Sequence, residues 1–415
     1  MGWTPCNSVV WAGARSHIAL NLRRPLWKIR RKVILELYLN DMLSLPAAQQ
    51  ALQAQLIPNP RRQGGMVFRH TPLAMAAAAY RAAQPDWFAD WFLLPGYDQF
   101  VLLADIIGLP ATVRCDDGCV APRADALLVW VMRAHNEGSW KKLAQHPVVS
   151  GPGSNWSETK LKIMFRTVSV AIHRAHGRRA TWSKCCMGRH AMYAAKLHAR
   201  MPPTLNAHFA GLGVVVSLMM DGTRRAVSRA IPAVDGTDLQ RQDWNHWWHG
   251  HNNLFITMSG PDGLFAACSG PHHGNNNDQG ATNAANVVPA INANLPAHVR
   301  VVVDDGFAGT NGPGPLVGAV PGGPFSNNCS DPRDRYNADM RSLRNSVELP
   351  YGALTSIWPC LELGHNRTRA STTTYLNYRN CVIVHNVLLC MGQGHAIIGS
   401  MFDCPPPSID DYLGD

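Results

Sequence analysis

The chain has no long apolar run. None of its hydrophobic segments approaches the roughly 18 residues a membrane-spanning helix needs, because Arg, Asp or Gly interrupts each of them. A soluble chain with no membrane partner is therefore expected. Acidic residues are scarce: 28 Asp and Glu stand against 38 Lys and Arg, for a formal net charge of +10. That balance favours an anionic partner, with nucleic acid the leading candidate. Paired metal-ligand cysteines are missing too. Only Cys115 with Cys119 ("CDDGC") and Cys185 with Cys186 come close together, and neither pair has a second pair at zinc-site spacing. An odd cysteine count without a secretory pattern points to reduced intracellular thiols. The opening "MGWTPC" fails as a myristoylation signal, since Cys6 stands where Ser or Thr is required.

What is present is enough apolar residue, 46% of 415, to bury a sizeable core in two or three domains. The positive excess is concentrated at the start, where Arg15, Arg23, Arg24, Lys28, Arg30, Arg31 and Lys32 precede the first acid, Glu36. The run "RRPLWKIRRK" (23–32) is similar to a nuclear-localisation signal. A solvated basic arm and an organelle transit peptide are the alternatives. Residues 1–70 are expected to form a flexible basic extension, ending near "NPRRQGG" (59–65).

A helical region is expected over 71–205. "ADALLVWVMRAH" (124–135), "SWKKLAQH" (139–146) and "SETKLKIMFRTVSVAIHRAH" (157–176) read as helices. In the last of these, Leu161, Met164, Phe165, Val168 and Ile172 make an apolar stripe at helical spacing, with Asn155 placed to cap the start. Lys160, Lys162, Arg166 and Arg174 lie off the stripe and are the candidate DNA contacts. A short helix, a Gly-containing turn and a longer basic helix outline a helix-turn-helix-like DNA-binding domain. The competing reading is a helical bundle with a solvated basic face.

After the proline-containing "RMPPTLNAH" (200–208) the pattern turns to strands, and a mixed α/β domain is expected over 206–400, followed by a short acidic tail, 401–415. "GLGVVVSLMMDG" (211–222) and "HVRVVVDDG" (298–306) read as strands ending in Asp221 and Asp304. "NNLFITMSG" and "GLFAACSG" read as a hairpin around "PDG", while 277–295 and 334–358 read as helices. The second helix carries Asn337, Arg341, Arg344 and Glu348 close to one stripe. Carboxylates at strand ends of an α/β sheet sit where ligands bind. Three converging acids repel unless a divalent cation joins them, and two Mg²⁺ or Mn²⁺ ions would clamp a phosphodiester during in-line displacement.

The segment 211–390 resembles the transposase domain of the PIF/Harbinger superfamily of DDE-type endonucleases, the group that includes Harbinger-derived nucleases. Five blocks carry the resemblance, in order: "VVVSLMMDGT", "HGHNNLFITMSGPDGLFAACSGPHHGNNND", "VVVDDGFAG", "YNADMRSLRNSVELPYGAL" and "NCVIVHNVLL". The resemblance implies an RNase H-like fold with Asp221, Asp304 and Glu348 as catalytic metal ligands for two Mg²⁺ or Mn²⁺ ions. Gly306 and Phe307 fix the register that selects Asp304 over Asp305. The activity implied is hydrolysis of DNA at element ends, with strand transfer as a further step. A Myb-like DNA-binding partner protein, a homodimer and a nuclear location complete the expectation. The alternative is a domesticated, catalytically silent DNA-binding or chromatin protein that keeps the fold.

Around the triad, Asp278, Arg344 and Asn337 are auxiliary candidates. Asp278 is favoured as a helix N-cap, and Arg344 as a partner of Glu348 or of a phosphate. The cluster "WNHWWHGHNN" (244–253) with His272 and His273 is not expected to hold metal, given its irregular spacing. His385 and Asn386 are expected to be structural. Two departures from the family pattern stand out: a Gly/Pro-rich loop over 309–328, and Pro350, expected to kink a helix beside Glu348.

Overall fold

The computed structural model describes residues 73–136, 138–151, 156–228, 239–304, 306–307, 314–320, 331–346, 348–362, 371–393 and 401–414. The basic extension 1–70, Asn155, Asp305 and most of the stretch 309–328 lie outside these residues. Leu239–Arg241 apart, the described residues belong to one compact unit, Val67–Arg229 with Gln242–Asp415.

The first half is helical. Helices α1 (Ala74–Ala83), α2 (Pro85–Phe92) and α3 (Tyr97–Ile106) lead to a small hairpin of β1 (Thr112–Arg114) and β2 (Val120–Pro122). Then come α4 (Arg123–His135), α5 (Trp140–Ala144), α6 (Pro147–Ser150), α7 (Glu158–Thr181), α8 (Lys184–Gly188), α9 (His190–Arg200) and α10 (Pro203–Gly211). The predicted stripe of α7 is buried at all five positions. Its start is capped by Ser157, which stands directly before the first helical residue and whose hydroxyl accepts from the Lys160 N–H.

The second half supplies the main sheet: β3 (Val215–Ala226), β4 (Trp244–Asn245), β5 (Gly250–Ser259), β6 (Phe265–His273), β7 (Val299–Val302) and β8 (Leu316–Val317). Helices α11 (Leu239–Asp243), α12 (Asp278–Ala284) and α13 (Val287–Asn294) lie among the strands in sequence. After them come α14 (Pro332–Asn345), α15 (Glu348–Ile357), α16 (Ser371–Cys390) and α17 (Ile409–Leu413). Strand β5 pairs antiparallel with both β3 and β6, while β7 runs parallel to β3 and β8 parallel to β7. This mixed sheet flanked by helices is the expected RNase H-like architecture.

Helix α16 ties the sheet to the helical half. Its Asn386 amide donates to the Phe265 carbonyl at 2.9 Å and accepts from the Phe265 N–H at 3.0 Å. Tyr378 stacks on Phe255 with ring centroids 4.2 Å apart, and Asn380 donates to the Ser169 carbonyl of α7. A single hydrophobic core runs from Leu73 to Tyr412, so the division expected near residue 205 falls inside continuous packing. The acidic tail likewise contributes Tyr412 to that core.

Two predicted helices are each two. The stretch 277–295 breaks at Asn286, which takes a left-handed conformation (φ 51°) that Asn tolerates. The stretch 334–358 breaks between Asn345 and Glu348. The Gly/Pro-rich stretch contains β8, paired to β7. No helix among the described residues is long and apolar enough to cross a membrane.

Candidate active site

Strand register brings the first two acids together. Met219 of β3 pairs with Val302 of β7 in parallel, so Asp221 and Asp304 each stand two residues further along neighbouring strands. The expectation that Asp221 ends its strand is overturned: β3 continues to Ala226 because Asp221–Ala226 still pair with Asn252–Thr257 of β5. Asp304 does follow the end of β7.

The third acid arrives through the helix break. Ser346 donates to the Leu343 carbonyl at 2.5 Å and to Met219 Sδ at 3.1 Å, which seats the junction of α14 and α15 on β3, two residues before Asp221. Glu348 is the first residue of α15. Pro350 therefore lies in the first turn, where its missing N–H has no helical partner to lose. The kink expected beside Glu348 is replaced by a fresh helix start.

Arg344, in the last turn of α14, meets all three acids. Its guanidinium donates to Asp221 Oδ2 at 3.0 Å and Glu348 Oε1 at 3.0 Å, and lies 3.5 Å from Asp304 Oδ2. Of the two partners expected for Arg344, Glu348 is present, joined by two more carboxylates. Tyr351, one turn into α15, donates to the Asp221 carbonyl at 3.0 Å and also bonds the Thr257 hydroxyl. Sequence reasoning gave Tyr351 no role, although an aromatic three residues after Glu348 was the available signal.

A fourth carboxylate stands close by. Asn277, not Asp278, caps α12, accepting from the Gly280 N–H at 2.7 Å. Asp278 turns instead toward β3, where a Cβ on Gly222 would lie 2.1 Å from its Oδ1. The glycine after Asp221 thus makes room for the acid. Arg224, also missed from sequence, donates to the carbonyls of Gly274 at 2.9 Å and Asn276 at 2.8 Å, fixing the approach to α12.

Electrostatics follow from this crowding. Burial, chiefly, raises the Asp221 carboxyl to about 6, with Asp278 and Asp304 pushing the same way and Arg344 and the Gly222 N–H opposing. Asp278 is raised as well, first by burial and then by Asp304, against Arg224 and Arg344. A partly buried acid cluster that two guanidinium groups, Arg344 and Arg224, only partly compensate attracts further positive charge.

The remaining candidates lie elsewhere. Asn337 is buried and bridges both backbone groups of Val320, donating to its carbonyl and accepting from its N–H, so it secures the segment after β8. On α7, Arg166 and Arg174 are exposed, and Lys162 pairs with Glu158. His272 bonds Ser269 and His273 bonds Asp243. His385 is buried against Phe265, and Asn386 holds β6, so both are structural.

The donor chemistry fits a divalent cation that prefers oxygen: every site acid is a carboxylate. In the geometry described, the guanidinium of Arg344 separates the three acids, whose ligand atoms are not all within 4.8 Å of one another. Residues 220–389 match the family model of the DDE superfamily endonuclease. That span is less than half of the chain, but it contains all four carboxylates and Arg344. It supports a nuclease- or transposase-type function for this domain. No curated protein and no solved structure matches the chain.

Proposed function

We propose that this protein is a metal-dependent DNA endonuclease of the DDE type, in the Harbinger group, acting as a transposase or as a nuclease descended from one. The observation that carries the reading is the meeting of Asp221, Asp304 and Glu348, from β3, the end of β7 and the start of α15, around Arg344. Asp221, Asp304 and Glu348 are the residues that would hold Mg²⁺ or Mn²⁺, with Asp278 beside them. When bound, two such ions supply charge stabilisation for both the attacking and the leaving oxygen of a phosphodiester.

The chain's own residues define the rest. Tyr351 and the Met219–Ser346 contact fix the backbone that carries Asp221. Arg344 can leave the acids for a DNA phosphate, a partner its planar fork suits as well as a carboxylate. The exposed Arg166 and Arg174 of α7, with Lys160 and Lys162, are proposed to position the DNA, and the basic residues 23–32 to direct nuclear import. A Myb-like partner and a homodimer are part of the same proposal.

Calorimetric Mn²⁺ binding tests it, with and without DNA. Binding that Asp221→Asn and Asp304→Asn each abolish, and that Asp305→Asn leaves intact, supports the reading. Equal DNA binding with and without Mn²⁺, together with unchanged metal binding in the variants, would replace it by the catalytically silent DNA-binding reading. Arg344 gives that second reading its footing, because it neutralises part of the cluster without metal.

A further inference from the structure

Far from the DDE match in sequence, hairpin β1–β2 closes through Cys115–Cys119. The Cys115 N–H donates to the Cys119 carbonyl at 2.8 Å and the Gly118 N–H to the Cys115 carbonyl at 3.1 Å. Gly118 takes φ +87°, a left-handed conformation that favours glycine. The Cys119 N–H donates to Asp117 Oδ1 at 2.9 Å, drawing that carboxylate back over the loop. Cys115 Sγ, an Asp117 carboxylate oxygen and Cys119 Sγ consequently all lie within 4.8 Å of one another. Among the described residues this is the only group of three His, Cys, Asp or Glu with that property.

The two sulfurs are buried and the carboxylate is exposed. Cys115 Sγ rests 3.8 Å from Met164 Sδ on α7, which makes the inner wall of the loop rich in sulfur.

We propose that this loop is a binding site for one zinc-class divalent cation, with Cys115 and Cys119 as thiolates and Asp117 as the third ligand. Two soft thiolates select zinc over the magnesium-class ions that the acid cluster suits. A Cys2Asp set leaves the fourth tetrahedral position to a water on the exposed side. Binding releases the two thiol protons to solvent and involves no change of oxidation state. The bound ion would lock the hairpin where it packs against α7. A disulfide between the two cysteines is the competing fate of the pair, and it would use the Asp117 carboxylate only as the acceptor of the Cys119 N–H.

Cobalt(II) reads the site directly, because thiolate-to-cobalt charge transfer absorbs in the near ultraviolet and the carboxylates around Asp221 cannot produce that band. The full-length chain is titrated anaerobically with Co²⁺ in the presence of a non-thiol reductant, then with Zn²⁺. The expected result is a charge-transfer band saturating at one equivalent, displaced by Zn²⁺, absent in the Cys115→Ser/Cys119→Ser double variant, and formed about tenfold or more weakly in Asp117→Asn. Because Asp117 is exposed, its variant still reads the site if the double variant does not fold. No band in the native chain overturns the proposal, as does a band whose affinity Asp117→Asn leaves unchanged.

Discussion

Two aspartates in this molecule, the half-buried Asp221 and the buried Asp262, are equally weakened as acids and have opposite surroundings. Burial lifts both Asp221 and Asp262 to about 6. Asp262, in the turn between β5 and β6, accepts from the Tyr193 hydroxyl at 2.6 Å and the Leu264 N–H at 3.1 Å, with Arg189 Nε 3.5 Å away. No second acid shares in its shift. Asp221 instead has Asp278 and Asp304 as neighbours and shares a single guanidinium with Asp304 and Glu348. Perturbed acidity alone therefore does not mark a reactive site; unrelieved like charge does, because it leaves an attraction for a cation that a satisfied turn lacks.

Substitution should separate the two regions most strongly. Asp221→Asn and Asp304→Asn are expected to lower Mn²⁺ affinity beyond the 10–100-fold typical of outer-shell partners, while Asp262→Asn leaves it unchanged; calorimetry on the three variants decides. Stability should show the converse. Asp262→Ala strands the buried Tyr193 hydroxyl and removes the carboxylate beside the half-buried Arg189, and about 3 kcal/mol of unfolding free energy should be lost in a denaturant titration.

Acidity sharpens the comparison further. A metal must displace the Asp221 proton, so Mn²⁺ affinity should fall about tenfold per pH unit below about 6. For metal-free stability the sign is reversed. The folded state binds protons at Asp221 and Asp262 more tightly than the unfolded chain does, so both contributions decline as pH rises from about 4 to about 6. Asp221→Asn should flatten part of that decline in denaturation midpoints measured across the window. The smallest effect is expected for Arg344→Gln, which should cost about 1 kcal/mol without metal, since the cation is partly exposed. Saturating Mn²⁺ should narrow that difference if the ion takes over neutralisation of the acids.

Much of this arrangement could be read before folding was considered. The buried stripe of α7, the β5–β6 hairpin and the strand ahead of Asp304 follow from apolar periodicity, which depends only on side-chain spacing. Asp221, Asp304 and Glu348 were singled out by block order and by the residues flanking them. Helix breaks escaped because local propensity does not reveal where two helices part. The left-handed Asn286 and the seating of Ser346 on Met219 are decided by packing.

The sequence by itself determined most of the elements and the basic surplus that points to an anionic partner, since these are properties of residue identity and spacing; the choice of Asp221, Asp304 and Glu348 among its acids is what the family resemblance implies. Tertiary structure alone decided that Arg344 joins the three, that Asp278 enters through the gap at Gly222, and that Asp117 completes a ligand set with two cysteines lacking a second pair. These are relations between backbone segments that register, a helix break and one tight loop bring within a few ångströms. Distances of that size depend on how the chain packs, and residue spacing does not encode them.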